Sequence, residues 1–312
     1  MKSIKDIISN FSYKEFIGDE NTMIRDLIPL NIANNRNDVL FWCNDLNLQK
    51  LSAISNGCII CSEKIYEIGF NPGCQYIIVE HPKLFYLRIM KMWKVENEKY
   101  GIHPTAIIHP EAIFSEEVYI GPYCIIGKCK IANQVHIQAH TVIHDNVTIG
   151  NRVRIHDHAN IGSAGFGFVR NENGKLEKMP DLGSVLIGDD VELFPYVNID
   201  LGTLSVTKVG RGTKIDRYVH IAHNCQIGED CVITAQVVFC GGSSIGNSSW
   251  VGIGSIIKEK VVLGQNVIIG LGAVVTKNIP DNATWIGSPA RPLTEFKLIS
   301  DYLKKQLITQ SK

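Results

Sequence analysis

The side chains most able to do chemistry are concentrated in residues 216–224, which include two histidines and an aspartate. His223 is the stronger candidate for a general base, because an imidazole titrates near neutral pH and can accept a proton from an attacking nucleophile. Asp216 could orient that imidazole or hold a substrate, or it could only form a turn. His220 could contact a substrate or simply be a neighbour of His223.

These residues lie inside a repeat with a period of six. From Val209 to Val275 every sixth residue is large and apolar, and residues 107–161 keep the same period. Neither an amphipathic helix nor an alternating strand has this period, whereas a parallel β-helix that turns a corner at each hexad does. We therefore predict a mainly β fold in which stacked coils bury a central column of aliphatic side chains.

The same geometry connects Gly241 to His223. Three hexads make one triangular coil, so residues eighteen positions apart stack on each other, and Gly241 lies eighteen residues after His223. The Gly241 N–H should then lie near the imidazole, and the absence of a side chain would let an oxygen atom approach. Gly241 is therefore a candidate oxyanion donor.

Two interruptions break the period. The first falls within residues 161–187 and the second within residues 199–209. In a repeat protein such insertions bulge outward as loops, and loops on a rigid scaffold commonly carry function. Phe166 and Phe168, between glycines in the first insertion, could line a sugar or acyl site.

Three domains are expected. Residues 1–100 lack the hexad and alternate strand-like with helix-like segments, which predicts a small α/β domain. Within this domain Phe41 and Trp42 could stack on a nucleobase or lie in a core strand. Residues 101–289 are predicted to form the β-helix, and residues 290–312 a C-terminal helix that would cap its open end.

Composition excludes several classes of protein. The chain has 31 basic and 31 acidic residues, so its zero net charge gives no case for binding nucleic acid or an anionic membrane. The N-terminus does not resemble a secretory signal, and no apolar run is long enough to span a bilayer. The nine cysteines fit a reducing cytoplasm.

Two patterns that could suggest metal or redox chemistry have simpler explanations. Cys58 and Cys61 enclose two isoleucines, so a buried strand explains them better than a redox or zinc site does. Five histidines of the repeat fall at different corner phases, and we predict no metal site among them: His136, His140, His144, His156 and His158.

Four motifs carry a resemblance to a known family: residues 38–44 (DVLFWCN), 161–168 (IGSAGFGF), 213–216 (TKID) and 220–224 (HIAHN). With them the chain resembles, over nearly its whole length, the UDP-3-O-(3-hydroxyacyl)glucosamine N-acyltransferases of lipid A synthesis. The resemblance implies a left-handed β-helix and a homotrimer with active sites in the clefts between subunits.

The resemblance also implies roles for individual residues. The family's catalytic histidine lies at the position of His223, and its oxyanion donor lies at the position of Gly241. Residues 38–44 are similar to the family's uridine-binding segment. The candidate substrate-binding residues are then Phe41, Trp42, Asn44, Phe166, Phe168, Arg217 and Asn224.

The chain departs from the family at several positions. Arg217 stands where the family usually has asparagine, and Leu201 where it has arginine. Lys260 replaces a second histidine, which the family associates with the phosphopantetheine arm of the donor. Residues 250–291 instead resemble coenzyme-A-dependent sugar acetyltransferases. Lys260 is therefore a candidate donor-binding residue that would suit the phosphates of coenzyme A, or it is simply an exposed lysine.

We predict a cytoplasmic N-acyltransferase without a permanently bound cofactor. It would transfer an acyl group from an acyl-carrier-protein or coenzyme A thioester to the amine of a nucleotide-linked amino sugar, such as UDP-3-O-acylglucosamine. His223 would take the amine proton, Asp216 would orient it, and Gly241 would stabilise the oxyanion without any covalent acyl-enzyme. One alternative is a short-chain acyl-coenzyme-A-dependent enzyme acting on a dTDP- or UDP-linked deoxyamino sugar for O-antigen. Another is a non-catalytic β-helix binding module.

Overall fold

A computed structural model describes residues 1–30, 36–44, 48–51, 53–94 and 100–310. The chain divides into two compact units, Met1–Glu98 and Lys99–Lys312. The helices and strands of the first unit are, in order, β1 Lys2–Ser3, α1 Ile4–Ile8, β2 Glu15–Ile17, β3 Met23–Ile24, β4 Asp26–Leu27, β5 Val39–Trp42, α2 Leu48–Leu51, β6 Gly57–Cys61, α3 Glu63–Gly69, β7 Cys74–Ile78 and α4 Pro82–Trp93.

The first unit is a layered α/β structure built on the strand β6, which is buried along its whole length. A five-stranded sheet has the order β2-β7-β6-β5-β4, parallel except for β2. Successive side chains of a strand point to opposite faces. Accordingly, Cys58 packs in the cluster with α1 and α4, and Cys61 in the cluster with α2 and α3.

This placement confirms the buried-strand interpretation of the two cysteines. Their thiols lie on opposite faces of one sheet, so they cannot share a disulfide or a metal. Desolvation by burial raises the pKa of the Cys61 thiol to about 12 and also raises that of Cys58. Thiols with raised pKa values are poor nucleophiles at neutral pH.

The second unit is a solenoid of short strands followed by one helix. Its elements are β8 Gly101–Ile102, β9 Ile107–Ile108, β10 Ile113–Phe114, β11 Val118–Ile120, β12 Ile125–Ile126, β13 Lys130–Ile131, β14 Val135–Ile137, β15 Val142–Ile143, β16 Val147–Ile149, β17 Arg154–Ile155, β18 Asn160–Ser163, β19 Phe168–Arg170, β20 Leu176–Lys178, β21 Ser184–Ile187, β22 Glu192–Leu193, β23 Asn198–Asp200, β24 Val206–Val209, β25 Lys214–Ile215, β26 His220–Ile221, β27 Gln226–Ile227, β28 Val232–Ile233, β29 Val238–Phe239, β30 Ser244–Ile245, β31 Trp250–Val251, β32 Ile256–Ile257, β33 Val262–Leu263, β34 Ile268–Ile269, β35 Val274–Val275, β36 Thr284–Ile286, β37 Arg291–Pro292 and α5 Leu293–Gln310.

These strands form the three faces of a parallel β-helix. Sheet I has the order β10-β13-β16-β21-β24-β27-β30-β33, and sheet III has the order β9-β12-β15-β18-β23-β26-β29-β32-β35. Sheet II runs β8-β11-β14-β17-β22-β25-β28-β31-β34-β36, with β37 added antiparallel at its end. The register pairs His220 with Val238 and Ile221 with Phe239, which is the predicted offset of eighteen residues.

The apolar column runs down the middle of the coil, where Ile221 and Phe239 are fully buried. The corners force many residues other than glycine into positive φ, among them His158 at 61° and Tyr196 at 64°. Such a conformation costs about 1 kcal/mol for a residue with a Cβ. The rings of His158 and Tyr196 stack on each other, which offsets part of this cost.

The two breaks in the period form the expected insertions. The first contains the antiparallel hairpin β19–β20, and the second contains the turn at residues 201–205. At the other end, α5 packs against β36 and β37, the last strands of sheet II, which agrees with the helix predicted there. No helix within the described residues is both long and apolar enough to cross a bilayer.

Candidate active site

His223 lies at the corner that follows β26, and its ring rests against the backbone of Gly241 in the next coil. A Cβ built on Gly241 would lie 2.6 Å from Cε1 and 2.7 Å from Nε2 of the imidazole. Any side chain at position 241 would therefore displace the ring. Gly242 N–H donates to the His223 carbonyl at 2.9 Å, which locks the two corners together.

The Gly241 N–H has no acceptor within the described part of the chain. The N–H groups of His223 and Glu259, at the same corner position in the neighbouring coils, likewise have none there. Among the described residues, an N–H without an acceptor is thus common to this corner, and what distinguishes Gly241 is that it carries no side chain. The arrangement places a hydrogen-bond donor and a titratable ring side by side.

Asn224 holds the other side of the imidazole. Its Nδ2 lies 3.0 Å from His223 Nδ1, and its Oδ1 accepts from the Thr203 N–H and from Ser205 Oγ, both at 2.9 Å. The Asn224 N–H donates to the buried hydroxyl of Thr207 at 2.8 Å. The second insertion is thus anchored on the residue next to His223.

The first insertion packs against His223 as well. A Cβ on Gly165 would lie 3.1 Å from His223 Cβ and 3.2 Å from Cδ2, so the Gly165 backbone packs closely against the His223 side chain. The Gly165 N–H donates to Asp181 Oδ2 at 3.1 Å, which fixes the loop at that point. The next residue, Phe166, is 88% exposed and packs edge-to-face on Phe168 at 5.1 Å. Both aromatic candidates therefore belong to the loop that packs against the imidazole through Gly165.

Asp216 does not contact His223 in the chain. It follows β25 in sheet II, whereas His223 follows β26 in sheet III, so the two occupy different corners. Its Oδ1 accepts from the Arg217 N–H at 2.7 Å and lies 3.6 Å from Arg217 Nε. Within one subunit Asp216 makes the contacts of the turn-forming alternative, and its orienting role stays a prediction. Asn224 is the residue that contacts Nδ1.

Lys260 lies on the same edge as His223. Its N–H donates to the Gly241 carbonyl at 3.1 Å, and its side chain passes over Gly242, whose Cβ would lie 3.6 Å from Lys260 Cγ. The corner therefore carries, in successive coils, an imidazole, an open N–H and a cation.

The first unit contains a separate cavity of about 880 Å³ that is lined in part by Trp42, Asn44, Ser62 and His81. The buried Oδ1 of Asn44 has no hydrogen-bond partner among the described residues. Phe41, in contrast, is fully buried in the cluster on the other face of the sheet. Phe41 is not among the residues that line this cavity, so its burial describes the core-strand alternative, and its contact with substrate stays a prediction.

The sequence did not reveal a polar network on the outward face of sheet III. Asn198 Nδ2 lies 2.7 Å from Asp200 Oδ1 and 2.9 Å from His220 Nδ1. Asp200 is only 6% exposed and also accepts from Ser163 Oγ at 3.2 Å. The available signal was the polar residues at neighbouring outward positions, but the two insertions separate these residues in the sequence.

Four of the repeat's other histidines have contacts away from His223. His140 and His158 stack on each other at 4.9 Å, and His156 Nε2 lies 3.1 Å from Glu192 Oε1. His144 Nε2 lies 2.9 Å from Asn160 Oδ1. The described residues contain no group of three or more side chains arranged to hold a metal ion.

Comparison with known proteins agrees with this geometry. The family model "Bacterial transferase hexapeptide (six repeats)" matches residues 207–241, the segment that contains His223 and Gly241. The UDP-3-O-acylglucosamine N-acyltransferase of Delftia acidovorans is 32% identical over 274 residues, covering 86% of this chain and 81% of that protein. The enzyme of the same name from Bordetella pertussis is 28% identical over 292 residues, covering 85% and 80%.

Solved structures with similar folds are also acyltransferases. The UDP-N-acetylglucosamine O-acyltransferase of Moraxella catarrhalis is 26% identical, with a TM-score of 0.55, covering 61% of this chain and 73% of that one. The UDP-N-acetylglucosamine acyltransferase of Francisella novicida is 27% identical, with a TM-score of 0.57, covering 62% and 69%.

Fold and site together define an acyltransferase of the hexapeptide-repeat class. The solenoid and its similarity to these solved structures confirm the predicted left-handed parallel β-helix. Within that class, the chain belongs to the UDP-3-O-acylglucosamine N-acyltransferase family. The predicted enzyme class, an N-acyltransferase, is likewise confirmed.

Proposed function

We propose that the protein transfers an acyl group from a thioester to the amine of a nucleotide-linked amino sugar of the UDP-3-O-acylglucosamine type, in lipid A or surface-glycan synthesis. The observation that carries the proposal is the contact between the His223 ring and Gly241, with the first insertion packed on His223 and the second bonded to Asn224. A site for acyl transfer needs a base for the amine and a donor for the oxyanion, and this corner offers both.

The chemistry requires few groups because a thioester is already activated. The amine nitrogen bonds to the carbonyl carbon, and His223 takes the proton that the nitrogen loses. Gly241 N–H stabilises the negative oxygen of the tetrahedral intermediate. The C–S bond then breaks, and the departing thiolate takes the proton from the imidazolium. No acyl-enzyme forms, so positioning accounts for much of the rate.

Two features support the choice of substrates. The cavity with Trp42 and the unsatisfied Asn44 Oδ1 offers an aromatic face and a hydrogen-bond acceptor, which suit a uracil ring and its N–H. Lys260, one coil beyond Gly242, suits the phosphate of the donor's phosphopantetheine arm, carried by acyl-carrier protein or by coenzyme A. A homotrimer in the cytoplasm, with Phe166 and Phe168 facing the cleft between subunits, completes the proposal.

One specific observation favours a second candidate. Lys260 replaces the histidine usual in the family, and a lysine suits the additional phosphates of coenzyme A. A short-chain acyl-coenzyme-A-dependent enzyme acting on a dTDP- or UDP-linked deoxyamino sugar would use the same corner. Thioester consumption should be measured with acyl-carrier-protein and coenzyme A donors, each against UDP- and dTDP-linked amino sugars. If no pair of donor and amino sugar led to consumption of the thioester, only the hypothesis of a non-catalytic binding module would remain.

The base assignment is tested by replacing His223. We expect His223→Ala to lower kcat about 10²- to 10⁴-fold, the usual contribution of a general base, with unchanged thermal unfolding. His220→Gln is the matched control, because it keeps a hydrogen-bonding side chain beside Asn198 and should retain most activity. Near wild-type turnover in His223→Ala would eliminate the proposed mechanism.

A further inference from the structure

The orientation of the Asn224 amide is fixed by a group that can only donate. The Thr203 backbone N–H points at one terminal atom of that amide at 2.9 Å, so this atom must be the oxygen. Ser205 Oγ contacts the same oxygen at 2.9 Å. The Asn224 NH₂ group is left on the other side, 3.0 Å from His223 Nδ1.

This orientation decides which imidazole nitrogen carries the proton. An NH₂ group facing Nδ1 needs a lone pair there, because two N–H groups at 3.0 Å would repel each other. The proton of the neutral ring must then sit on Nε2. Nε2 is the nitrogen that lies against Gly241, where the reacting amine would arrive.

We propose that Asn224 is a positioning residue that holds His223 as the Nε2–H tautomer in the resting enzyme, so that the ring becomes a base only when the Asn224 amide turns over. After the turn, Oδ1 accepts from Nδ1–H and Nε2 is bare. The ring loses its Nε2 proton to water and gains one at Nδ1, so the net proton count is unchanged. The inference rests on the proposed role of His223.

The amide oxygen is held by the second insertion, and that insertion is bonded to the first, which makes the turn a coupled event. Turning it would remove the acceptor of the Thr203 N–H and of Ser205 Oγ. The segment that bears these donors is itself tied to the end of the first insertion: Leu182 N–H donates to the Thr203 carbonyl at 2.7 Å, and Gly183 N–H to the Gly202 carbonyl at 2.9 Å. The loops beside the substrate cleft therefore control when the base is available.

The tautomer can be read directly by solid-state NMR on full-length protein labelled with ¹⁵N-histidine, without any turnover. The His223 signals are identified as those missing in His223→Gln. We expect a protonated Nε2 and a bare Nδ1 in the wild type, and the reverse in Asn224→Asp, whose second carboxylate oxygen can accept from Nδ1–H. Ser205→Ala is the control, because the Thr203 N–H remains and the tautomer should not change.

Turnover gives an independent readout. Asn224→Asp removes the need for the amide to turn, so kcat should rise about two- to tenfold, the factor that corresponds to one net hydrogen bond. A protonated Nδ1 in the wild type would overturn the inference, and so would a folded Asn224→Asp enzyme with a reduced kcat. If His223→Ala kept its activity, the proposed function would fail while the tautomer result would still stand.

Discussion

At the scale of single residues, the site depends on how closely His223 and Gly241 approach. The 2.6 Å and 2.7 Å distances from a Cβ at position 241 to the ring are shorter than real Cβ contacts allow. The position therefore excludes every residue except glycine unless the imidazole moves. The steric contact with the His223 ring therefore explains why position 241 is a glycine, and no special backbone conformation is needed to explain it.

Gly241→Ala tests this contact. The added methyl should push the imidazole away from the reacting centre and crowd the oxyanion position, so we expect kcat to fall at least about 10²-fold, as for loss of one oxyanion donor. Activity should be compared with the thermal unfolding midpoint. Gly254→Ala is the control, since a Cβ there meets nothing within 4 Å. It should cost about 1 kcal/mol of stability, because φ is +69°, and leave turnover intact.

At the scale of structural elements, one corner of the coil is supported by a column of rings. Tyr123, His140, His158, Tyr196 and Tyr218 stack in succession, with centroid distances of 4.9 to 5.1 Å and interplanar angles of 1° to 16°. All five have positive φ. The stacking offsets the conformational cost and gives this edge its regular geometry.

Tyr196→Asn should reveal the strength of the column. Asparagine tolerates positive φ, so the change removes two ring contacts without adding strain. We expect a loss of about 1–3 kcal/mol in the free energy of unfolding, since each contact contributes about 0.5–1.5 kcal/mol. Chemical denaturation provides the measurement. Gln236→Asn, at the same corner one coil after Tyr218, should change stability by less than about 0.5 kcal/mol. Equal effects in both variants would contradict the stacking argument.

A second element-scale contact makes stability depend on pH. The hydrogen bond from His156 is the main cause that lowers the pKa of Glu192, against the opposing effect of burial. A carboxyl whose pKa is depressed in the folded state adds stability above its unfolded value of about 4.3, and this stability is lost as pH falls through the folded value.

Glu192→Gln should therefore cost about 1 kcal/mol at pH 7 and progressively less below about pH 4, where Glu192 becomes protonated in both states. Denaturation of the two proteins at several pH values gives the difference curve. A difference that is constant with pH would mean that the charge of Glu192 contributes nothing.

At the scale of the whole molecule, binding and chemistry are assigned to different units. The cavity with Trp42 lies in the first unit, and the corner with His223 lies in the second. Trp42→Ala should raise KM for the nucleotide sugar about tenfold, by loss of one stacking contact and its buried area, while leaving kcat within about twofold. Steady-state kinetics would separate the two effects, and an unchanged KM would remove Trp42 from the nucleotide site.

The sequence alone determined the solenoid and the pairing of Gly241 with His223, because a period of six fixes which residues stack eighteen positions later. It also indicated the family, through motifs that lie within the repeat. The breaks in the period located the insertions in the sequence but not the paths they follow, so the contacts of Gly165 with His223 and of Thr203 and Ser205 with Asn224 appeared only in the folded chain. The face of the sheet on which Phe41 lies was likewise decided by the tertiary structure, because the two faces of a buried strand are equally apolar in sequence. The period thus predicts the part of the His223 site that lies in the coil, and the part that comes from the loops depends on the tertiary structure.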